Sequence, residues 1–430
     1  MASPKTKSAT KVITLGCRLN AYESDVIAGH ARDMELTDSV VINTCAVTGA
    51  AVRQSRQAVR KARKANPKAQ IIVTGCAAQI DPAAFAAMPE VDRVIGNNEK
   101  MLAGTFDPEF LAASEPILVN DIMAVTETAP QLIMGGNRER EKSQDRTRAF
   151  LQVQNGCDHR CTFCIIPYGR GNARSVPAGE VVAHVRDLVQ QGFGEVVLTG
   201  VDLSSWGGDL PGRPSLGDLV RRVLKLVPEL KRLRLSSIDP AEVDEILFEA
   251  LTTEPRMTPY LHLSLQAGED MILKRMKRRH LREDVISLCQ RLTAIRPEMT
   301  FGADMIAGFP TETDDMFETG KTIISEIGIA WLHVFPYSPR EATPAASMPP
   351  VNGQVIKTRA KKLRDEGARV LKVHLDRRLG DIDEALFEAD GMGRLPDFTR
   401  VKVDNPPKAG QFARVKLTGH ADDYALGHLV

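Results

Sequence analysis

The residues best equipped for chemistry are three cysteines in the run Gly156-Cys157-Asp158-His159-Arg160-Cys161-Thr162-Phe163-Cys164. Thiolates at C-x3-C-x2-C spacing can hold three corners of an iron–sulfur cube. Such cubes usually take four cysteines, and no fourth lies nearby, so one iron stays open to the amine and carboxylate of a small molecule. Structural zinc is a plainer alternative, but a closed zinc site wants four ligands, and no histidine at finger-like spacing follows Cys164. Buried, unliganded thiols are a further alternative. Disulfides are not expected, because the first residues, Met1 to Lys11, are polar and do not resemble a secretory leader.

Three further cysteines follow a rule of their own. Cys17 ends Val12-Ile13-Thr14-Leu15-Gly16-Cys17, Cys45 ends Val40-Val41-Ile42-Asn43-Thr44-Cys45, and Cys76 ends Ile71-Ile72-Val73-Thr74-Gly75-Cys76. Each closes a short β-branched run of the kind that makes a buried parallel strand. Helical stretches over Glu23–Met34 and Val52–Lys64 separate them, which predicts an open α/β sheet. Such sheets bind ligands at the carboxyl ends of their strands. Three cysteines placed there can converge although 28 and 31 positions separate them. Gly16 and Gly75 would let the backbone approach a bound group closely. Three buried structural cysteines remain the alternative. The seventh, Cys289, falls on the apolar face of a predicted helix and reads as core.

To position Cys157, Cys161 and Cys164, the chain alternates again from Phe150 to about Val373. Strands are expected at Phe150–Gln154, Glu195–Thr199, Arg232–Ser236, His262–Leu265, Thr300–Ile306 and Trp331–Phe335. Helices are expected at Ala178–Gln191, Leu216–Leu226, Val243–Leu251 and Thr313–Ile327. Six such units predict a partial (β/α)6 barrel, whose chemistry belongs at the carboxyl ends of its strands. The cysteine loop directly follows the first of them. Gly200 and Asp202, Ser237, and Gln266 end later strands and can fix the amine, ribose and carboxylate of a bound cofactor. Phe163 can lie against an adenine ring or simply pack.

At 430 residues the chain is too long for one ordinary domain. Its 43% hydrophobic and 26% charged residues are those of a globular protein, and no apolar run approaches a membrane span, so no membrane partner is expected. A net charge of +1 says nothing of nucleic acid, so any basic surface must be local. Arg53, Arg56, Arg60, Arg63 and Lys64 share one helical face by the 3.6-residue period, and can either meet phosphates or form an ordinary solvated face. Lys274, Arg275, Lys277, Arg278 and Arg279 form a second cluster. Gln131–Arg148 reads as a linker. The tail from Asp376 reads as strands, with Arg400, Lys402, Arg414 and Lys416 on one exposed face.

Several segments together resemble the methylthiotransferases of the radical S-adenosylmethionine (SAM) superfamily over nearly the whole chain. They are Thr14–Ser24 (TLGCRLNAYES), Asn43-Thr44-Cys45, Thr74-Gly75-Cys76, Gln154–Gly171 (QNGCDHRCTFCIIPYGRG), His262–Arg278 (HLSLQAGEDMILKRMKR), Asp304–Thr313 (DMIAGFPTET) and Val334–Arg340 (VFPYSPR). The resemblance implies an N-terminal methylthiotransferase domain over 10–120, a radical SAM core over 143–375 and a TRAM β-barrel over 376–430. It also implies two [4Fe-4S] clusters. Cys157, Cys161 and Cys164 would hold the one that cleaves SAM, and Cys17, Cys45 and Cys76 an auxiliary one that delivers sulfur.

Family members modify isopentenylated adenosine in tRNA, threonylcarbamoyl-adenosine in tRNA, or an aspartate of a ribosomal protein. Gly16–Asn20, Arg234–Ile238 and Val334–Ser338 are most similar to the threonylcarbamoyl-adenosine group. Ser264 and Ala267 depart from the usual proline and serine, and Asp202 occupies a variable position. The expected activity is therefore methylthiolation at C2 of adenosine 37, beside the anticodon, in a cytoplasmic monomer supplied by an unidentified electron donor. The partner would be a tRNA anticodon stem-loop. A non-catalytic iron–sulfur protein that binds RNA is the alternative from another class.

Overall fold

A computed structural model describes residues 8–128 and 147–430. The chain divides into two compact units. One comprises Met1–Asn137, Gln154–Ser175 and Ser338–Thr343, and the other Arg138–Val153, Val176–Tyr337 and Pro344–Val430. The expected linker Gln131–Arg148 lies outside the described residues except at its end, where Arg148 pairs with Glu388 at 2.8 Å. No helix among the described residues is long and apolar enough to cross a membrane.

The first unit is an open five-stranded parallel sheet in the order β1 (Lys11–Thr14), β2 (Ser39–Thr44), β3 (Gln70–Gly75), β4 (Arg93–Ile95) and β5 (Ile117–Leu118). Alternate strand residues serve two cores, as a sheet covered on both faces requires. Val40, Ile42, Ile71 and Val73 pack with Val59 and Phe85, whereas Val41 and Ile72 pack with Ile27, Ile95 and Phe106. All six residues of β2 are buried. At roughly 1.5–3 kcal/mol for each large aliphatic side chain buried, this interior strand fixes the register of its neighbours β1 and β3. Helix α1 covers Arg18–Asp33 and α2 covers Gly49–Ala65, where Thr48 caps α2 by accepting the Ala51 N–H. The expected start of α1 at Glu23 is too late. The turn at Gly16 is tight enough that Cys17 itself is the N-cap.

In the second unit the six expected barrel strands form at Ala149–Gln152, Glu195–Thr199, Arg232–Leu235, Tyr260–Gln266, Thr300–Ala307 and Ile329–Pro336, all paired in parallel. The third resumes after Ser236 as Ser237–Ile238, which pairs with the fourth. The first is shorter than expected because Gln154 and Asn155 leave it to pair with Arg174 and Ser175. Leu332 packs against Gly367 of the long helix Gly353–Arg377, so strand alternation turns its neighbours Trp331 and His333 to the barrel's inner face.

After that helix the tail closes into a five-stranded barrel around Ala385, Phe387, Leu395, Val401, Val415 and Leu417. Its alternation leaves Lys402, Arg414 and Lys416 exposed, as expected, whereas Arg400 is half-buried and pairs with Asp390 at 2.8 Å. Cys289 is buried in the helix Arg282–Ile295, and burial raises its thiol pKa, as a core residue's would be.

Candidate metal centres

Register brings the first triplet together. β1 pairs Thr14 with Asn43, and β2 pairs Thr44 with Gly75, so Cys17, Cys45 and Cys76 follow the carboxyl ends of three adjacent strands. Cys76 opens the short helix Cys76–Ile80, and Cys17 remains accessible while Cys45 and Cys76 are buried. Both expected glycines are required by geometry. Gly75 has φ 95° and ψ −177°, and a Cβ there would lie 2.4 Å from the backbone N and O of Thr44. A Cβ on Gly16, with φ +96°, would meet the Cys45 Cβ at 2.7 Å and its Sγ at 2.9 Å. Asn20 ties the ends together by donating from Nδ2 to the carbonyls of Leu15 and Thr44 at 2.7 and 2.9 Å. Burial pushes the Cys45 thiol up to about 11, helped by the nearby Cys76 and Cys17. A metal that binds there must displace its proton.

Three buried charged groups adjoin this triplet, and sequence reasoning missed them. Arg170, only 2% exposed, donates from Nε to the Cys76 Sγ at 3.1 Å. Its other nitrogens grip both oxygens of Glu23 and the Oδ1 of Asn20. Glu23 and Lys100 are wholly buried, and the Lys100 ammonium donates to Glu23 at 2.6 Å, Asn97 at 2.7 Å and Asn43 at 3.3 Å. Burial alone would raise the Glu23 pKa. The Arg170 and Lys100 charges outweigh it and hold the carboxylate ionised. Gly169 lets this segment approach, since its Cβ would lie 3.3 Å from the Cys76 Cβ.

The second triplet sits on a loop of the same unit, closed at its base by the Gln154–Asn155 and Arg174–Ser175 pair. The Cys157 N–H donates to the Gly171 carbonyl at 3.1 Å, and the Cys164 N–H to the Cys161 carbonyl at 3.0 Å. Arg160 braces the loop by donating to the Cys157 carbonyl at 2.7 Å and Asn172 at 2.8 Å. Gly156, φ +71°, leaves no room for a Cβ, which would fall 1.8 Å from the Asn172 carbonyl oxygen. Cys157, Cys161 and Cys164 are partly accessible, and half-buried Phe163 lies in a turn beside them. Each triplet thus offers three thiols and no fourth cysteine, with glycine backbone kept clear around it. That donor set fits a cube with one open iron.

In the second unit, Gly200, Asp202, Ser237 and Gln266 all lie at carboxyl ends of barrel strands, as expected, and all are half-buried. Asp202 accepts from Ser205 at 2.7 Å, and Gln266 takes a positive φ of 68°. The barrel's inner face adds a polar layer that sequence reasoning did not single out. His262 Nε2 and His333 Nδ1 each lie 3.1 Å from Asp304 Oδ1, and the Tyr260 hydroxyl lies 2.8 Å from His262 Nδ1. Burial would raise the Asp304 pKa, but the two histidine hydrogen bonds win and lower it. A cavity of about 1400 Å³ lies elsewhere, near Arg232, Pro259 and Thr300 at the amino ends of the strands, away from the chemistry.

Both expected basic clusters are partly consumed by structure. Arg63 is committed to Asp92 at 2.5 Å and to three carbonyls, and Arg56 lies over the Phe85 ring, which leaves Arg53, Arg60 and Lys64 exposed. Arg278 and Arg279 pair with Asp239, and Arg275 with Thr311, so of the second cluster only Lys274 and Lys277 are both exposed and outside these pairs.

Fold and donor sets define a radical SAM enzyme with a second cysteine triplet. The radical SAM superfamily model matches residues 151–319, and the model described as Uncharacterized protein family UPF0004 matches 9–96. The chain is 51% identical, over 96% of both proteins, to the threonylcarbamoyladenosine tRNA methylthiotransferase MtaB of Rickettsia prowazekii. It is 38% identical to the protein of that name from Bacillus subtilis, over 78% of this chain and 74% of the relative. It is 32% identical to a tRNA-2-methylthio-N(6)-dimethylallyladenosine synthase of Cereibacter sphaeroides, over 96% and 97%. A solved structure of the radical SAM methyltransferase TsrM from Kitasatospora setae, with cobalamin and a [4Fe-4S] cluster bound, shares the fold. Its TM-score is 0.54 at 15% identity, over 79% of this chain and 74% of that one. The chain belongs to the radical SAM tRNA methylthiotransferase family, whose members use SAM and two [4Fe-4S] clusters.

Proposed function

We propose that this enzyme converts N6-threonylcarbamoyladenosine 37 of tRNA into its 2-methylthio derivative. The observation that carries the reading is the N-terminal triplet, Cys17, Cys45 and Cys76, at the ends of three adjacent strands, in a chain that matches an MtaB relative along nearly its whole length. Cys157, Cys161 and Cys164 are assigned to the SAM-binding cluster, and the other three to the auxiliary cluster. When bound, the clusters and SAM supply the electron, the radical, the sulfur and the methyl group that ordinary acid–base groups cannot.

The protein's part is placement. Gly156 and Arg160 shape the loop that presents one thiol set, and Gly16, Gly75 and Asn20 shape the other. Phe163 is assigned to the adenine of SAM, and Gly200, Asp202, Ser237 and Gln266 to its polar groups. His262, Asp304 and His333 give the barrel's inner face polar groups for a base and its substituent. Arg53, Arg60 and Lys64, with Lys402, Arg414 and Lys416, are assigned to phosphates of the anticodon stem-loop. In a cavity of about 850 Å³, Arg56 and Arg340 each present a buried Nε without a hydrogen-bond partner, which suits a further phosphate. The three modules are assigned to 10–120, 143–375 and 376–430, the last as a TRAM domain, in a cytoplasmic monomer served by a separate electron donor.

The test is mass spectrometry of tRNA nucleosides from cells with and without the gene. Loss of 2-methylthio-N6-threonylcarbamoyladenosine in the deletion, restored by the wild-type gene but not by a Cys17→Ala copy, supports the reading. Loss of the isopentenyl-type derivative moves the substrate, and unchanged tRNA overturns the assignment to tRNA.

A further inference from the structure

The buried network around Arg170 has an unbalanced charge. Arg170 and Lys100 bring two positive charges and Glu23 one negative, and the buried Arg174, which donates to the Arg170 carbonyl at 3.0 Å, and the buried Glu99, next to Lys100, add one of each sign, so one net positive charge is locked away from water near Cys76. Asn20, Asn43 and Asn97, which complete the network, are neutral. Arg340 faces the Cys45 side, but it is half-exposed and better screened by water. An unpaired buried charge is costly, and it persists only where something offsets it. A cube in its usual oxidised state, held by three thiolates, carries one net negative charge. We propose that Arg170, held by Glu23 and Lys100, is the built-in counter-charge of the auxiliary cluster, sets its reduction potential and retains its iron. This rests on the assignment of Cys17, Cys45 and Cys76 to that cluster.

Geometry singles out Arg170 within the network. Its Nε–H reaches the Cys76 sulfur at 3.1 Å, while its fork is fixed on Glu23, so the donor cannot swing away. A hydrogen bond to a coordinating sulfur draws electron density from the metal and raises its potential. The arginine also lies six positions beyond Cys164, on the segment that carries the other triplet. The loop that presents one thiol set thereby completes the surroundings of the other, within one unit.

The experiment uses the full-length chain with Cys157, Cys161 and Cys164 changed to alanine, reconstituted with iron and sulfide so that only the auxiliary site can fill. One-electron reduction by dithionite adds one negative charge to the bound cluster, with no bond or proton change, and is followed by electron paramagnetic resonance against potential. Iron loss to a chelator is timed on the same samples. Arg170→Gln is expected to shift the midpoint negative and to speed iron loss at least several-fold. Glu23→Gln, which leaves more net positive charge, is expected to shift it positive. Arg170→Lys keeps the charge without the fork and is expected to fall between wild type and Arg170→Gln. If Arg170→Gln loads no cluster, Arg170→Lys and Glu23→Gln still decide the matter. Opposite shifts support the proposal. Unchanged midpoints, or shifts of one sign for both the arginine and the glutamate variants, overturn it, because a merely structural role predicts no such opposition. Failure of the parent triple variant to bind about four irons would instead overturn the cluster assignment.

Discussion

Gly75→Ala is the substitution in which fold and site are most tightly joined. The residue has φ 95° and ψ −177°, a region that is essentially glycine's alone and costs a residue with a Cβ roughly 1–3 kcal/mol. The added Cβ would also lie 2.4 Å from both the N and the O of Thr44. These atoms cannot yield cheaply, because they belong to the wholly buried interior strand β2. Overpacking of that kind adds about 1–3 kcal/mol, which brings the total to roughly 2–6 kcal/mol. For a unit of this size each kcal/mol lowers Tm by about 2–4 °C, so a fall of at least about 4 °C is expected in calorimetry of the full-length chain. The strain falls between Thr44, next to Cys45, and Gly75, next to Cys76. Anaerobic reconstitution should therefore yield about half the wild-type iron, with the Cys157 site still loaded. A variant with unchanged Tm and full iron would refute the reasoning from strain to site.

Cys161→Ala should abolish 5′-deoxyadenosine formation from SAM under dithionite while leaving the iron of the first triplet, measured by metal analysis after reconstitution. Changing Arg53, Arg60 and Lys64 together to glutamine should weaken tRNA binding and reduce the slope of log affinity against log salt by up to roughly three, as read by filter binding over a salt series. Glu195 is buried against Arg234 and Arg148. Burial would raise its pKa, but those charges hold it at about 2. Its folded value lies below the ordinary value, so its stabilisation is fully present above about pH 4.3 and is lost as the pH falls towards 2. Glu195→Gln should flatten the acid side of the stability–pH curve over that window, measured by urea unfolding.

The cysteine-bearing strand ends were legible in the sequence because short apolar runs that end in glycine or threonine announce buried parallel strands. The position of Cys17, Cys45 and Cys76 then follows from topology alone. The six barrel strands were legible for the same reason. The Arg170–Glu23–Lys100 network was not, since its members are 147 and 77 positions apart and each carries the polar signature of a surface residue. His262, Asp304 and His333 were hidden similarly, because strand periodicity says which residues share a face but not which neighbouring strand supplies the partner. The basic stripe on α2 was legible only in part. The helical period placed Arg63 on the face, but the carboxylate of Asp92 that captures it comes from just before β4, which periodicity within one helix cannot reveal.

The function is tested most directly by giving the anaerobically reconstituted enzyme, with SAM and dithionite, two anticodon stem-loops, one with N6-threonylcarbamoyladenosine at position 37 and one with the isopentenyl derivative. The first should give 5′-deoxyadenosine together with a 2-methylthio product, and the methylthio product should be lost when Cys17, Cys45 and Cys76 are replaced by alanine. A methylthio product that survives their replacement, or that forms only from the isopentenyl substrate, would contradict the proposed function.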